Sequence, residues 1–418
     1  MSQFADYLIV GAGVAGGHAA FEIRKRNKNG KIIMVTAEEQ PPYDRVPMSK
    51  EYLAGKRKKS ELFFRADSYF RRNKIELIRE HYVKAINTPA RLATMDDGSE
   101  IEYRVALLAT GGRVRKLQLP GSDLAGIFYL RTLQECDAIR AASKTSKNVV
   151  IIGGGFIGCE FAAALRSKGL NVTLVELAPQ LLGAAIDEKT ASWIKDYHVR
   201  KGVKVLTSSS ITGFQGRGGH LTGVELKGGK TINADFAVVG VGIAPNTELG
   251  EAAGLKTDRG IVVDQYLKSS VEGVYAAGDV ARFYSPIFKR YLRVEHYDVA
   301  EKHGTLAGMN MTGEEQAFNE LPYFFSNQYD LEINAYGDLS QHDMIIQRGS
   351  MDSKSGFFQF YVNTGILNGI LSVNADWDDI ERAKKLVESQ KELVNPSLLS
   401  DESMSLESMT RQGKRNAC

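Results

Sequence analysis

The 418-residue chain is 43% hydrophobic and 25% charged, the profile of a folded globular protein with room for two or three domains. Its net charge of +3 is too slight to make nucleic acid the main partner. No apolar run is long enough to span a bilayer, and Cys136, Cys159 and Cys418 are far apart with no CxxC, which sets aside a membrane span and a disulfide framework and points to a reducing, cytoplasmic setting.

The first element is a strand, YLIV, entered so early in MSQFADYLIVGAG that no signal peptide is expected. It runs into GAGVAG and an alanine-rich helical stretch, so Gly11, Gly13 and Gly16 form G-x-G-x-x-G. The first glycine allows the tight strand-to-helix turn and the second lets a pyrophosphate approach the backbone. The third lets helix and strand pack closely, while the helix N-terminus offers N–H groups to phosphate. A second buried strand, KIIMVTAEE, ends at Glu38, spaced from the glycines as a carboxylate that accepts hydrogen bonds from a ribose diol. The chain leaves it through PPYDRVPMSKEYLAG (41–55), a stiff, partly basic segment containing Arg45 and Lys50. The run Lys56–Lys59 follows and reads as a solvated charge run, with docking of an acidic electron carrier as the alternative.

Further along, RVALLA is a buried strand leading into Thr110 and Gly111. Residues 148–168 then repeat the opening pattern, with Gly153, Gly155 and Gly158 as the glycines and Glu176 of VTLVE as the closing acid. Two such units, each in β-α-β context with its own acid, predict two dinucleotide sites, FAD and a nicotinamide nucleotide. A carboxylate at Glu176 repels a 2′-phosphate and no arginine stands beside it in VELAPQLL, so NADH is expected over NADPH. Cys159 reads as a small packed side chain. Glu160 lies on what reads as the apolar first turn of a helix, where a buried charge needs a partner. The late strand GVYAAGDVA (273–281) rejoins the first unit and places Asp279 to hold a ribitol or ribose hydroxyl. From Glu295 onward, EHYDVAEKHGTLAGMNMT reads as a helix with a positive N-terminal end.

With PYDRVPMSK, LLATGG, YLRT, VGVGIAPNTEL, AAGDVA, RVEHYDVA and YFFSNQYDLEINAYGDL all in one order, the chain resembles the FAD-dependent pyridine nucleotide oxidoreductases. Within them it is similar to the ferredoxin-reductase-like branch, which includes NADH–ferredoxin and rubredoxin reductases, monodehydroascorbate reductase and apoptosis-inducing factor. The resemblance implies an α/β fold with two Rossmann-like domains, the FAD domain interrupted by the NAD domain, and a C-terminal α+β interface domain. The expected limits are 1–116 and 248–318 for FAD, 117–247 for NAD, 319–406 for the interface domain and 407–418 for a mobile tail.

It also implies site residues. Thr110 and Gly111 would close over the FAD diphosphate and adenosine, Val83 would offer its backbone to adenine, and Arg131 would approach the phosphates and ribitol. Ala15, Arg45, Gly278, Glu295, His296 and Phe325 would join the flavin set, and Ile157 and Gly242 the nicotinamide set. Lys50 and Glu160 would form an ion pair beside the isoalloxazine that tunes flavin N5. Disulfide reductases of the superfamily keep redox cysteines on the segment corresponding to 42–52, where this chain has none, so thiol chemistry is not expected. Ferredoxin reductases usually carry Ser-Trp where this chain has His296-Tyr297, and Phe325 stands where Trp or Tyr is common. The implied activity is electron transfer from NADH through FAD to a small iron–sulfur protein such as ferredoxin or rubredoxin. A small acceptor such as monodehydroascorbate or a quinone, and a redox-sensing interaction protein, remain alternatives, as do monomer and homodimer.

Overall fold

The computed structural model describes residues 3–183 and 186–409, so the end of the expected tail, with Cys418, lies outside the described residues. The chain packs as two units: one of Met1–Pro47, Arg57–Arg115 and Gly242–Glu320, the other of Met48–Lys56, Lys116–Val241 and Leu321–Cys418.

In the first unit the strands Gln3–Val10, Ile32–Thr36, Ile75–Arg79 and Glu100–Leu108 run parallel in one sheet. Ile32–Thr36 is buried along its whole length, as a β-branched run in a sheet covered on both faces must be. The rejoining strand is shorter than expected: only Val274–Ala276 pairs with Glu100–Leu108, and Gly278–Val280 turns away as a single 3-10 turn. Strands Leu92–Met95 and Val83–Asn87 extend the sheet antiparallel. Helix Val14–Arg26 packs on helix Tyr297–Met311, and Gly304 and Gly308 make that approach possible: a Cβ on either would fall 2.2 or 2.7 Å from a backbone oxygen of the facing helix.

In the second unit five parallel strands, Lys204–Leu206, Asn171–Val175, Asn148–Ile152, Phe236–Val239 and Ile127–Tyr129, lie in that order. A three-stranded antiparallel sheet, Ile211–Arg217, His220–Leu226 and Thr231–Asn233, adjoins them. The C-terminal part is a five-stranded antiparallel sheet with Tyr323–Gln328 at one edge, followed by helix Trp377–Ser389. Segment 48–56 is held within this unit by side-chain bonds: Tyr52 Oη donates to Asp137 Oδ1 at 2.5 Å, Cys136 Sγ donates to the Met48 carbonyl at 3.2 Å, and the Arg140 guanidinium lies 4.1 Å over the Tyr52 ring.

Candidate functional site

The internal repeat is exact enough in backbone geometry to be read residue against residue. Gly11 and Gly153 hold φ of 105° and 106°, and a Cβ on either would meet the Ala109 or Gly240 carbonyl oxygen at 2.3 Å. Gly11 N donates to Val35 O at 2.8 Å and Gly153 N to Val175 O at 2.9 Å. A Cβ on Gly16 or Gly158 would fall 1.9 Å from the Gly11 or Gly153 oxygen, which is the close helix–strand contact the third glycine exists for. Gly13 and Gly155 differ from these: a Cβ there meets nothing within 4 Å. Each is the N-cap of a helix of 13 or 12 residues with no side-chain cap, so the first-turn N–H groups face open space. Two uncapped helix ends under two bare glycines fit two pyrophosphates.

In the first unit the strand ends at Thr36, so Glu38 lies two residues beyond it rather than at its end. Tyr43 Oη donates to Glu38 Oε2 at 2.5 Å, Arg45 pairs with Glu38 Oε1, and Arg45 Nη1 donates to Tyr43 Oη at 2.8 Å. The stiff segment therefore folds back on the first ribose acid, and Tyr43 joins the set unpredicted. Ala15 is buried beside Gly278, whose Cβ would lie 3.1 Å from it. Asp279, on the turn after the rejoining strand, is close enough to act on the Arg45 charge. Thr110 Oγ1 donates to the Asn246 carbonyl at 2.8 Å, Asn246 Nδ2 returns a bond to Thr110 O, and Asn246 N donates to Gly111 O. Val83 is buried at the start of its strand opposite Met95, and Gly242 takes φ of 93° with its carbonyl bonded to Arg115 N. Gly242 thus groups with the first unit, apart from the other residues of the expected nicotinamide set.

The helix expected from Glu295 begins at Tyr297. His296 is its extended N-cap and Glu295 lies outside it, paired with Arg293, so the first residue offered to the dipole is Tyr297. Burial drives the His296 imidazole down to about 4, so it is neutral near pH 7.

In the second unit, Glu176 Oε2 accepts from Gly154 N at 2.5 Å and Oε1 from Ala178 N at 2.6 Å, which fixes the carboxylate at the mouth of the second loop. Gly154, not singled out from the sequence, is required there: a Cβ would fall 2.6 Å from Leu181 and 3.0 Å from Glu176. Leu177 and Val241, 71% and 37% exposed, lie two residues past the carboxyl ends of parallel strands, and Ile157, 53% exposed, is on the first turn of the helix after the strand between them, where open α/β sheets bind their ligands. Arg131 precedes the Thr132–Glu135 capping box, and its backbone N–H is bound by Glu135 at 2.7 Å.

Lys50 and Glu160 meet. Nζ lies 3.2 Å from Oε1, and each side chain is only 6% exposed. Glu160 stands one turn deeper than expected, the fifth residue of helix Phe156–Ser167, because Phe156 already opens the helix. Ser49 Oγ donates to Oε2 at 2.5 Å and Ser326 Oγ to Oε1 at 2.7 Å. Lys50 also rests 4.2 Å above the Phe325 ring and 3.5 Å from Asn327 Oδ1. Burial pushes the Glu160 carboxyl up, while Lys50 and the two serines pull against it. Ser49, Ser326 and Asn327 escaped sequence reasoning; strand alternation around Phe325 was the only available signal.

Segment 42–52 carries no cysteine, and both described cysteines are fully buried. Burial pushes the Cys136 thiol up to about 12 and raises Cys159 further, so neither is a thiolate near neutrality. In the basic run, Lys56, Lys58 and Lys59 are exposed, and Arg57 is half-buried against Asp44. Among the described residues no helix is long and apolar enough to cross a membrane.

Comparison with known proteins agrees with this geometry. The family of pyridine nucleotide-disulphide oxidoreductases matches residues 5–304, and the reductase C-terminal family matches 323–410. The chain is 34% identical to rhodocoxin reductase of Rhodococcus erythropolis over 388 residues, 93% of this chain and 90% of that protein. It is 31% identical to putidaredoxin reductase of Pseudomonas putida over 419 residues, 99% of each. Among solved structures, the ferredoxin reductase for the CYP199A2 system of Rhodopseudomonas palustris matches with a TM-score of 0.90 at 36% identity, covering 96% of this chain and 98% of that one. The covalent putidaredoxin reductase–putidaredoxin complex matches with a TM-score of 0.92 at 31% identity, covering 96% and 97%. The chain belongs to the pyridine nucleotide-disulphide oxidoreductases, in the ferredoxin-reductase-like branch of FAD- and NAD(H)-dependent oxidoreductases that carries the reductase C-terminal domain.

Proposed function

We propose that the protein takes electrons from NADH and passes them, through bound FAD, to a small iron–sulfur protein of the ferredoxin or rubredoxin type. The observation that carries this is the pair of matching glycine loops, each with an uncapped helix and its own acid, in a chain without a redox disulfide on segment 42–52. FAD supplies the chemistry: it accepts a hydride and can release the electrons singly.

The protein's own residues bind and orient. In the first unit the Gly11–Gly16 loop would take the FAD pyrophosphate, Glu38 the ribose, Val83 the adenine, and Asp279 a ribitol hydroxyl. Arg45, already bonded to Glu38 and Tyr43, stiffens that acid. In the second unit Gly153–Gly158 and Glu176 would hold NADH, with Ile157, Leu177 and Val241 as apolar contacts. The Lys50–Glu160 pair governs the rate at which NADH reduces the flavin. Residues 1–116 and 248–318 form the FAD domain in this reading, 117–247 the NAD domain and 319–406 the interface domain. The relatives named for a redoxin partner support the acceptor class, and free buried thiols support a cytoplasmic location.

The test is FAD-loaded protein with NADH and a panel of acceptors: a two-iron ferredoxin, a rubredoxin, a quinone and monodehydroascorbate. Fastest turnover with an iron–sulfur protein is expected; fastest turnover with a quinone or monodehydroascorbate overturns the acceptor assignment.

A further inference from the structure

The Glu160 carboxylate terminates a buried line of hydrogen bonds that extends well beyond Lys50. Ser326 Oγ is 2.7 Å from Glu160 Oε1, Gln328 Nε2 is 3.2 Å from Ser326 Oγ, and His198 Nε2 is 2.9 Å from Gln328 Oε1. Ser326, Gln328 and His198 are each 0% exposed. Ser326 and Gln328 are alternate residues of the edge strand Tyr323–Gln328 and so share one of its faces, while His198 comes from helix Glu188–Arg200.

The direction of every bond follows from the chemistry of its end. An ionised Glu160 can only accept, so the Ser326 hydroxyl hydrogen points at it. Ser326 is left with lone pairs toward Gln328, which must therefore present its NH₂ there and its carbonyl to His198. His198 must then carry its proton on Nε2. Its Nδ1 is buried with no hydrogen-bond partner, which an unprotonated nitrogen tolerates better than an N–H. Burial lowers the His198 imidazole, consistent with one proton. Among the described residues, Glu160 pairs with the charge of Lys50 and accepts from the Ser49 and Ser326 hydroxyls.

We infer that Ser326, Gln328 and His198 are positioning residues: a one-way chain of donors that keeps Glu160 ionised inside the protein and so keeps Lys50 paired with a charge. The chain's effect on electron transfer rests on the proposed role of the Lys50–Glu160 pair, but its effect on Glu160 does not.

The test uses FAD-loaded protein in which glutamate is ¹³C-labelled, so that the infrared band of a protonated glutamic acid is identified by its isotope shift and titrated. A Glu160→Gln background marks which band belongs to Glu160. Ser326→Ala should raise the pH midpoint of that band by about one pH unit, the loss of one hydrogen bond to a charged group, and Gln328→Leu, which removes only the bond behind Ser326, should raise it by less. Ser326→Thr, which keeps the hydroxyl, should restore it. Flavin reduction by NADH should slow about tenfold in Ser326→Ala, and Ser326→Ala should add nothing once Glu160→Gln is present. An unmoved midpoint in both Ser326→Ala and Gln328→Leu overturns the inference. A moved midpoint with reduction unaffected by Glu160→Gln supports the chain and overturns the proposed role of the pair.

Discussion

Lys50→Ala is the sharpest perturbation of the second unit. The pair is separated by 3.2 Å, and at an effective dielectric of 20 its Coulomb attraction is about 5 kcal/mol. Desolvation of both ions offsets most of that, so the pair contributes little net stability. Removing one partner is different: Glu160 would stay buried with its charge uncompensated, at a cost of about 3–5 kcal/mol. The Ser49 and Ser326 hydroxyls remain and soften the loss toward about 3 kcal/mol, which lowers the melting temperature by roughly 6–12 °C. The cost should depend on pH. Burial already holds the Glu160 carboxyl above its usual 4.5, and without Lys50 it rises further. A group raised on folding binds more protons in the native state, so stability falls as pH rises through the folded value and is regained on acidification toward 4.5. Melting of FAD-loaded Lys50→Ala between pH 7.5 and 5 should therefore show a deficit that shrinks with acid. Lys50→Met with Glu160→Gln, which removes both charges, should recover most of it. A deficit that stays constant with pH, or a melting point within about a degree of wild type, would refute the reasoning.

Four other expectations follow from the same geometry. Gly155→Ala should leave melting unchanged, since its Cβ meets nothing, yet raise KM for NADH about tenfold or more, whereas Gly153→Ala should fail to fold stably because of its φ and the Gly240 oxygen; equal damage by both would contradict the loop assignment. Wild-type kcat/KM should favour NADH over NADPH by about tenfold or more if, as proposed, the Glu176 carboxylate at the mouth of the second loop receives the ribose and repels a 2′-phosphate; a preference for NADPH would reverse the cofactor assignment. In Cys418→Ser protein, iodoacetamide should label neither Cys136 nor Cys159 until the protein unfolds, read by mass spectrometry. His296 and His303 are held neutral by burial, at about 4 and about 3, so their contribution is present above 6.5 and is lost as pH falls through that window; each costs about 1.4 kcal/mol per pH unit there, and a first unit whose melting is flat from pH 7 to 5 would be inconsistent with this.

Much of this was legible in the sequence because the repeat is local. Glycine spacing, a β-branched strand before it and an acid about twenty residues on are short-range features, and both units obey them, with the Gly11 and Gly153 carbonyl-oxygen contacts both at 2.3 Å. Glu160 was legible only as a charge in need of a partner; Lys50 came from resemblance, since 110 residues separate them and no periodicity links them. Ser49, Gln328 and His198 were invisible for the same reason, because tertiary placement alone turns a polar residue into part of a line. The helix expected from Glu295 starts two residues late because Glu295 bonds to Arg293 while His296 stays extended. Tyr43 reaches Glu38 from five residues on, across a loop holding Pro41 and Pro42, a contact that composition predicts only as stiffness.

The measurement that bears most directly on the central claim is anaerobic stopped-flow of the FAD-loaded protein. NADH should bleach the flavin in the first mixing, and a two-iron ferredoxin or a rubredoxin in the second should restore its colour within the turnover time while the iron–sulfur protein becomes reduced. A flavin that NADH reduces but that neither iron–sulfur protein reoxidises would contradict the account.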